Sequence, residues 1–168
     1  MRKRIQTIIL ALALLLTAAA PALAAGAVLS AVVPEGTVAV GDSFAVTVRL
    51  DGNPGFRALE FTLAYDSTML SCNYANIGSL MSGASLAATN PNAKDGVRFS
   101  AVSMEDITAD GIVAVIGFTA KAAGETDLQL TLTNLSDADL HALPGTAAGA
   151  HLTIAASGGT CPFYAFGE

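Results

Sequence analysis

The sequence predicts an all-β protein, a β-sandwich, on two observations. Apolar and polar residues alternate with period two in one segment after another, and clusters of Gly, Pro, Asn and Asp punctuate those segments at short intervals. The cleanest alternation runs from Gly55 to Asp66. Leu59, Phe61, Leu63 and Tyr65 form an apolar side, while Ala58, Glu60, Thr62 and Ala64 form a side that is small or polar. This is the pattern of a half-buried strand. Its second side, small side chains around one carboxylate, is flat enough to accept a partner.

The remaining elements follow in order. Ala27 to Val33 reads as a first strand, Pro34-Glu35-Gly36 and Gly41-Asp42 as turns, and Ser43 to Leu50 as a second strand with Phe44, Val46, Val48 and Leu50 on its core side. Asp51-Gly52-Asn53-Pro54-Gly55 turns the chain into the strand described above. Asp66 to Leu70 reads as one helical turn capped by Asp66 or Ser67. Leu70 to Ile77 returns as a strand, Gly78 to Gly83 as a loop and Ser85 to Thr89 as a short strand. The turn formers Asn90 to Gly96 are expected to end it. Val97 to Met104 places Val97, Phe99 and Ala101 on one side and Arg98, Ser100, Val102 and Met104 on the other, so two apolar residues fall on the polar side. Glu105 to Asp110 reads as a polar loop. Ile112 to Lys121 follows with Ile112, Ala114, Ile116, Phe118 and Ala120 inward, then Leu128 to Thr133 with its leucines inward. Asp137 to Gly145 reads as loop, and Gly149 to Ile154 as the closing strand.

The N-terminus carries a different signal. Arg2-Lys3-Arg4, an apolar run from Ile8 to Leu16 and Ala22-Leu23-Ala24 are the basic region, apolar region and cleavage site of a secretory signal peptide. The expected organisation is therefore a signal peptide over residues 1–24, a sandwich over 25–156 and a tail over 157–168. Removing the leader with its three basic residues leaves five Lys/Arg against fourteen Asp/Glu, a formal charge of about −9. That balance argues against nucleic acid and anionic membrane surfaces as partners, because both are held by clustered basic residues. Cys72 and Cys161 can pair in an exported chain or remain two separate thiols; spacing alone leaves both open.

Four stretches, Val40 to Val48, Phe61 to Asp66, Asp110 to Lys121 and Ser136-Asp137-Ala138-Asp139-Leu140, follow one another across the chain. Together they resemble the cohesin domain of bacterial cellulosomes, the module that captures dockerin domains. The resemblance implies a nine-stranded jelly-roll sandwich whose third, fifth, sixth and eighth strands form a flat face for a helical dockerin. Carried over by position, the polar contacts of the third strand fall on Ala58 and Glu60, and the acidic position after the sixth strand on Glu105 or Asp106. Apolar contacts fall on Val102 and Met104, and the eighth strand offers Thr131. Thr62 and Ser100 share the same side by parity. The chain departs from the family at Asn90, where an aromatic often precedes the proline, and at Ala58, where a side-chain amide is common. The resemblance implies no cofactor for this chain, since the calcium belongs to the dockerin.

Other chemistries find little support. His141 and His151 are the two histidines, and the strand order brings neither to a Ser or Cys nucleophile, which points away from an enzyme. Asp137 and Asp139 lack the six to eight oxygens of a calcium site and read as a solvated turn. Direct polysaccharide binding by a sandwich uses an aromatic platform. The chain has no Trp, and Tyr65 points inward by parity, which argues against direct sugar contact. A carbohydrate-binding module and a structural adhesin module stand as the alternatives. The expected protein is thus secreted, with a dockerin-bearing protein as its partner and residues 58, 60, 62, 90, 100, 102, 104, 105, 106 and 131 as its contacts.

Overall fold

A computed structural model of the chain describes residues 26–157. The expected leader and most of the tail, with Cys161, lie outside the described residues. Among the described residues eleven strands are present: β1 (Ala27–Val32), β2 (Val38–Ala39), β3 (Ser43–Asp51), β4 (Phe56–Ala64), β5 (Leu70–Ile77), β6 (Leu86–Ala93), β7 (Gly96–Ile107), β8 (Gly111–Ala120), β9 (Gly124–Ser136), β10 (Gly145–Ala148) and β11 (Ala150–Ala155). One sheet has the order β10-β1-β3-β8-β5 and the other β2-β11-β9-β4-β7-β6. The two sheets enclose one hydrophobic core, so the chain is the β-sandwich that the alternation predicts.

Parity decides what is buried. Leu59, Phe61 and Leu63 of β4 and Val97, Phe99 and Ala101 of β7 are all buried, while Glu60, Arg98 and Ser100 between them are exposed. Phe61 and Phe99, paired in register, stack with ring centroids 5.0 Å apart at 11°. Tyr65 is turned inward as its parity requires and meets the Phe118 ring edge-on at 5.0 Å. β8 is buried beyond its alternate positions, because it lies between β3 and β5 and the Tyr74 ring covers its outer side at Gly117. A Cβ at Gly117 would sit 2.1 Å from that ring, so the aromatic packs against bare backbone.

Several boundaries differ from the sequence expectation. The helical turn after β4 is present as a single turn, and Asp66 caps it rather than Ser67: its Oδ1 accepts from Thr68 N at 2.7 Å and Thr68 Oγ1 at 2.6 Å. β6 does not stop at Thr89 but runs to Ala93, with a bulge between Asn90 and Ala93. Pro91 is tolerated there because β6 is an edge strand and the ladder needs no N–H from its open side. The tight turn falls instead at Lys94-Asp95, between the paired residues Ala93 and Gly96. Gly96 has φ 124° and its missing Cβ would lie 2.3 Å from the Leu63 carbonyl oxygen, so backbone occupies the space of any side chain.

The expected loop from Glu105 is in part strand. Between the pairs Ala58↔Val102 and Phe56↔Ile107, β4 advances two residues and β7 five, so residues 103–106 arch out of the ladder before Ile107 rejoins it. The closing strand falls where it is expected, as β11, and an unexpected strand, β10, precedes it. β10 joins the first sheet parallel to β1, and β11 joins the second sheet against β9. The crossover falls at Gly149, where a Cβ would stand 2.2 Å from the Leu128 carbonyl oxygen. β2 is a two-residue parallel pairing with β11 that lies between the two expected turns, at residues the alternation does not assign to a strand.

Candidate partner-binding face

The expected contacts lie mainly on the outer side of four adjacent strands, in the order β9-β4-β7-β6. These are the eighth, third, sixth and fifth strands of the nine read from the alternation. Cross-strand register sets the outer residues in rows. Leu86, Val102 and Ala58 form one row; Ala88, Ser100, Glu60 and Asn134 the next; Asn90, Arg98, Thr62 and Thr131 the third. Outer positions on adjacent strands are close enough to act as one surface. The structure thus brings Ala58, Glu60, Thr62, Asn90, Ser100, Val102 and Thr131 together.

The apolar centre of this surface is open to solvent. Val102 is 52% exposed and Met104 77% exposed, so no loop of the described residues covers them. Met104 is held in place by its backbone N–H, which donates to Ser85 Oγ at 3.0 Å. Leu86, beside Val102 and 66% exposed, extends the same apolar cluster. It was not among the expected contacts. Its parity with Asn90 and Ala88 places it on this side, and that count is the signal that finds it.

Polar groups surround the cluster. Ser100 Oγ donates to Glu60 Oε1 at 3.2 Å, which turns the carboxylate along the sheet. Arg98 Nη2 meets Asp95 Oδ2 at 2.8 Å, so this cation is offset from within the chain. A shallow depression of about 240 Å³ lies among Glu60, Thr62, Arg98, Ser100 and Thr133. Glu105 and Asp106 are on the arched segment beyond Met104, at the rim rather than in the rows. Asp106 Oδ1 accepts from Arg57 Nε at 2.7 Å, whereas Glu105 forms no ion pair among the described residues. Exposed pairs of this kind contribute little to stability, about 0–1 kcal/mol. Glu60 and Glu105 are therefore the carboxylates left available to a partner.

The loop after β9 extends the same end of the face. Ser136 pairs with Ala58 and bridges to Ala142, which sets residues 137–141 beside the Val102 row. Asp137 organises it: Oδ1 accepts from Asp139 N and His141 N, each at 2.9 Å, and Oδ2 lies 3.3 Å from His141 Nδ1. This turn holds Leu140 at φ 63°, an uncommon conformation for a branched apolar residue, with its side chain 83% exposed. A strained residue that presents a large apolar group to water is a second candidate contact that parity does not reveal, because a turn and not a strand aims it.

The Asp137 carboxyl is held below the ordinary aspartate value, first by the His141 amide hydrogen bond. A depressed pKa stabilises the turn above the unfolded value, and that contribution is lost as pH falls through the depressed one. The amide resonances of Asp139 and His141 are accordingly expected to move in a nuclear magnetic resonance titration below pH 3.8, and Asp137→Ala to produce the same loosening at neutral pH. Amides that titrate in step with an unperturbed carboxylate would contradict this.

Each histidine is held by a neighbouring aspartate. His151 Nδ1 lies 2.7 Å from Asp127 Oδ1, a hydrogen bond that raises its pKa, and His141 is engaged by Asp137. Among the described residues no group of three or more His, Cys, Asp or Glu side chains is placed to hold a metal ion, and no helix is long and apolar enough to cross a membrane.

Comparison with known proteins agrees with this architecture. Residues 29–150 match the model of the cohesin domain. No curated protein matches the sequence. Among solved structures, a non-cellulosomal cohesin from the archaeon Archaeoglobus fulgidus is similar with a TM-score of 0.66 and 16% identity, over 77% of this chain and 91% of that one. The seventh ScaB type I cohesin from Pseudobacteroides cellulosolvens gives 0.66 and 19%, over 79% and 94%. A type I cohesin–dockerin complex from Clostridium thermocellum gives 0.64 and 16%, over 77% and 92%. With a family match across most of the sandwich and the same two-sheet fold, the chain belongs to the cohesin family.

Proposed function

We propose that this chain is an exported, non-catalytic module that captures a dockerin domain on the outer side of β9-β4-β7-β6. In doing so it assembles extracellular polysaccharide-degrading or adhesion complexes. The observation that carries this reading is the solvent-exposed cluster of Leu86, Val102 and Met104 on a flat sheet of a cohesin-family chain, bordered by Glu60 and Glu105. An apolar centre with a polar rim is the usual anatomy of a protein interface. The Clostridium thermocellum neighbour was solved with a dockerin bound, which supports the same class of partner here. Calcium in this reading is held by the dockerin, and the signal-peptide pattern of residues 1–24 supports export.

The test is a pull-down with residues 25–168 against the secreted proteins of the source, in calcium and in chelator, with captured proteins identified by mass spectrometry. A dockerin-bearing protein is expected with calcium and absent with chelator. Retention of the bait on a polysaccharide column, with no dockerin protein captured, would replace this reading by a carbohydrate-binding one.

A further inference from the structure

We infer that the outer side of the first sheet, centred on Tyr74, is a platform for a neutral polysaccharide chain, separate from the partner-binding face on the other sheet. Tyr74 owes its position to a bulge. Cys72 packs against the core opposite Phe118, and strict alternation would turn Tyr74 inward with it; one extra residue, Asn73, instead pairs Tyr74 with Gly117 on the outer side. Bulges re-aim side chains at sheet edges, and β5 is the edge strand of its sheet. Tyr65, which keeps its parity, is turned inward and offers no ring to a sugar.

The ring lies flat on the sheet. A Cβ at Gly117 would stand 2.1 Å from Tyr74 Cε1, 2.4 Å from Cζ and 2.6 Å from Cδ1. These distances put it over the ring face, since a point beyond the rim would be much farther from Cζ and Cδ1 than from Cε1. Side chains leave a sheet roughly perpendicular to it, so the ring plane runs parallel to the sheet. One ring face rests on the Gly117 backbone and the other is turned to water, and the residue is 42% exposed.

The surroundings select the ligand. On either side of the row Tyr74-Gly117-Ala45, register sets Ser71-Thr119-Ser43 and Asn76-Val115-Thr47. None of these side chains is charged, in a chain that carries fourteen Asp/Glu. Charges further along the strands are engaged within the chain: Arg49 meets Asp51 at 2.8 Å, and Lys121 Nζ donates to the Ser67 carbonyl oxygen at 2.7 Å. Hydroxyls and amides border the ring instead. Asn73 Nδ2 donates to Thr119 Oγ1 at 2.9 Å, and the Thr119 and Ser43 hydroxyls lie 3.0 Å apart, a fixed group with hydrogen-bonding capacity to spare. A flat aromatic face takes an apolar surface, the polar border takes hydroxyls, and an ionic ligand would be desolvated here without a counterion. A glucose ring with equatorial hydroxyls has that shape, C–H groups on its faces and hydroxyls around its edge. An unbranched β-linked glucan repeats it along a flat ribbon, which suits a flat sheet.

Isotope-labelled residues 25–168 are titrated with cellohexaose and followed by their amide magnetic resonances, with no dockerin present, so failure here leaves dockerin capture untouched. Shifts are expected at Ser43, Tyr74, Asn76 and Thr119, saturating in about the millimolar range. None is expected with an oligogalacturonate of the same length, which adds a carboxylate to each ring. Tyr74→Phe keeps the ring and is expected to bind within about threefold of the unaltered chain. Tyr74→Ala is expected to bind at least about tenfold more weakly while capturing dockerin as before. Because the alanine variant also uncovers Gly117, the position of the shifts in the unaltered chain decides the site. No shift up to about 20 mM cellohexaose, shifts on β9-β4-β7-β6 instead, or an equal response to oligogalacturonate would each overturn the inference. So would movement of the same resonances on dilution of the chain alone, which would mark a second copy as the occupant.

Discussion

Phe99→Ala is expected to destabilise the domain by about 3–5 kcal/mol, the range for deleting a buried aromatic from a packed core. Phe99 is 1% exposed and stacks on Phe61, which is equally buried on the neighbouring strand. Truncation removes both the transfer term of the ring and the stacking contact, and the cavity cannot collapse readily. β4 is pinned between β7 and β9, and Leu59, Leu63 and Val97 around the gap are themselves fixed in register. Urea unfolding is the appropriate readout: the midpoint falls while the slope stays constant, and Tm drops by about 10–20 °C. Phe99→Leu, which keeps most of the volume, is expected to lose about 1–1.5 kcal/mol. A cost below about 1 kcal/mol for the alanine variant would mean that these two rings do not form the centre of the core. The same pair lies directly under the Glu60–Ser100 row, so the flatness of the outer surface depends on it.

The parts of the fold that were legible in the sequence are those where a sheet has one wet and one dry side. In β4 and β7 strict alternation identified the strands, their inner residues and, by exclusion, the outer row of Ala58, Glu60, Ser100 and Val102. Where neither side carries contrast, the reading failed. β10 is Gly-Thr-Ala-Ala and β2 only Val-Ala; both are strands because β1 and β11 offer an open edge, which is a tertiary cause. Asn90 to Ala93 carries turn residues but is paired with β7, and Leu86 was overlooked because Ser85 to Thr89 is otherwise small residues. The Leu140 conformation depends on which backbone groups Asp137 captures, information that no periodicity contains. Both exposed leucines absent from the expected face thus lie outside the two strongly alternating strands, Leu86 on an edge strand of small residues and Leu140 in a turn.

Val102→Asp is expected to weaken capture of the dockerin by at least about 100-fold, equivalent to about 2.7 kcal/mol, with little change in Tm. Val102 stands between Leu86 and Ala58 in the row nearest Met104, so a carboxylate there would be desolvated on docking with no partner provided for it. Its side chain is half in water already, so the fold is expected to tolerate the change while the proposed interface is not. Met104→Ala and Leu86→Ala remove contact area without adding charge and are expected to lose about tenfold each, mainly through faster dissociation. Glu60→Ala acts differently. The carboxylate is held by Ser100 at the polar border, and its removal is expected to slow association and flatten the salt dependence more than it changes the dissociation rate. Surface plasmon resonance with the captured dockerin, at two salt concentrations, separates these effects. If Val102→Asp binds as the unaltered protein does, the dockerin docks elsewhere on the sandwich; if Val102→Asp fails while Glu60→Ala is silent, the apolar cluster alone defines the site.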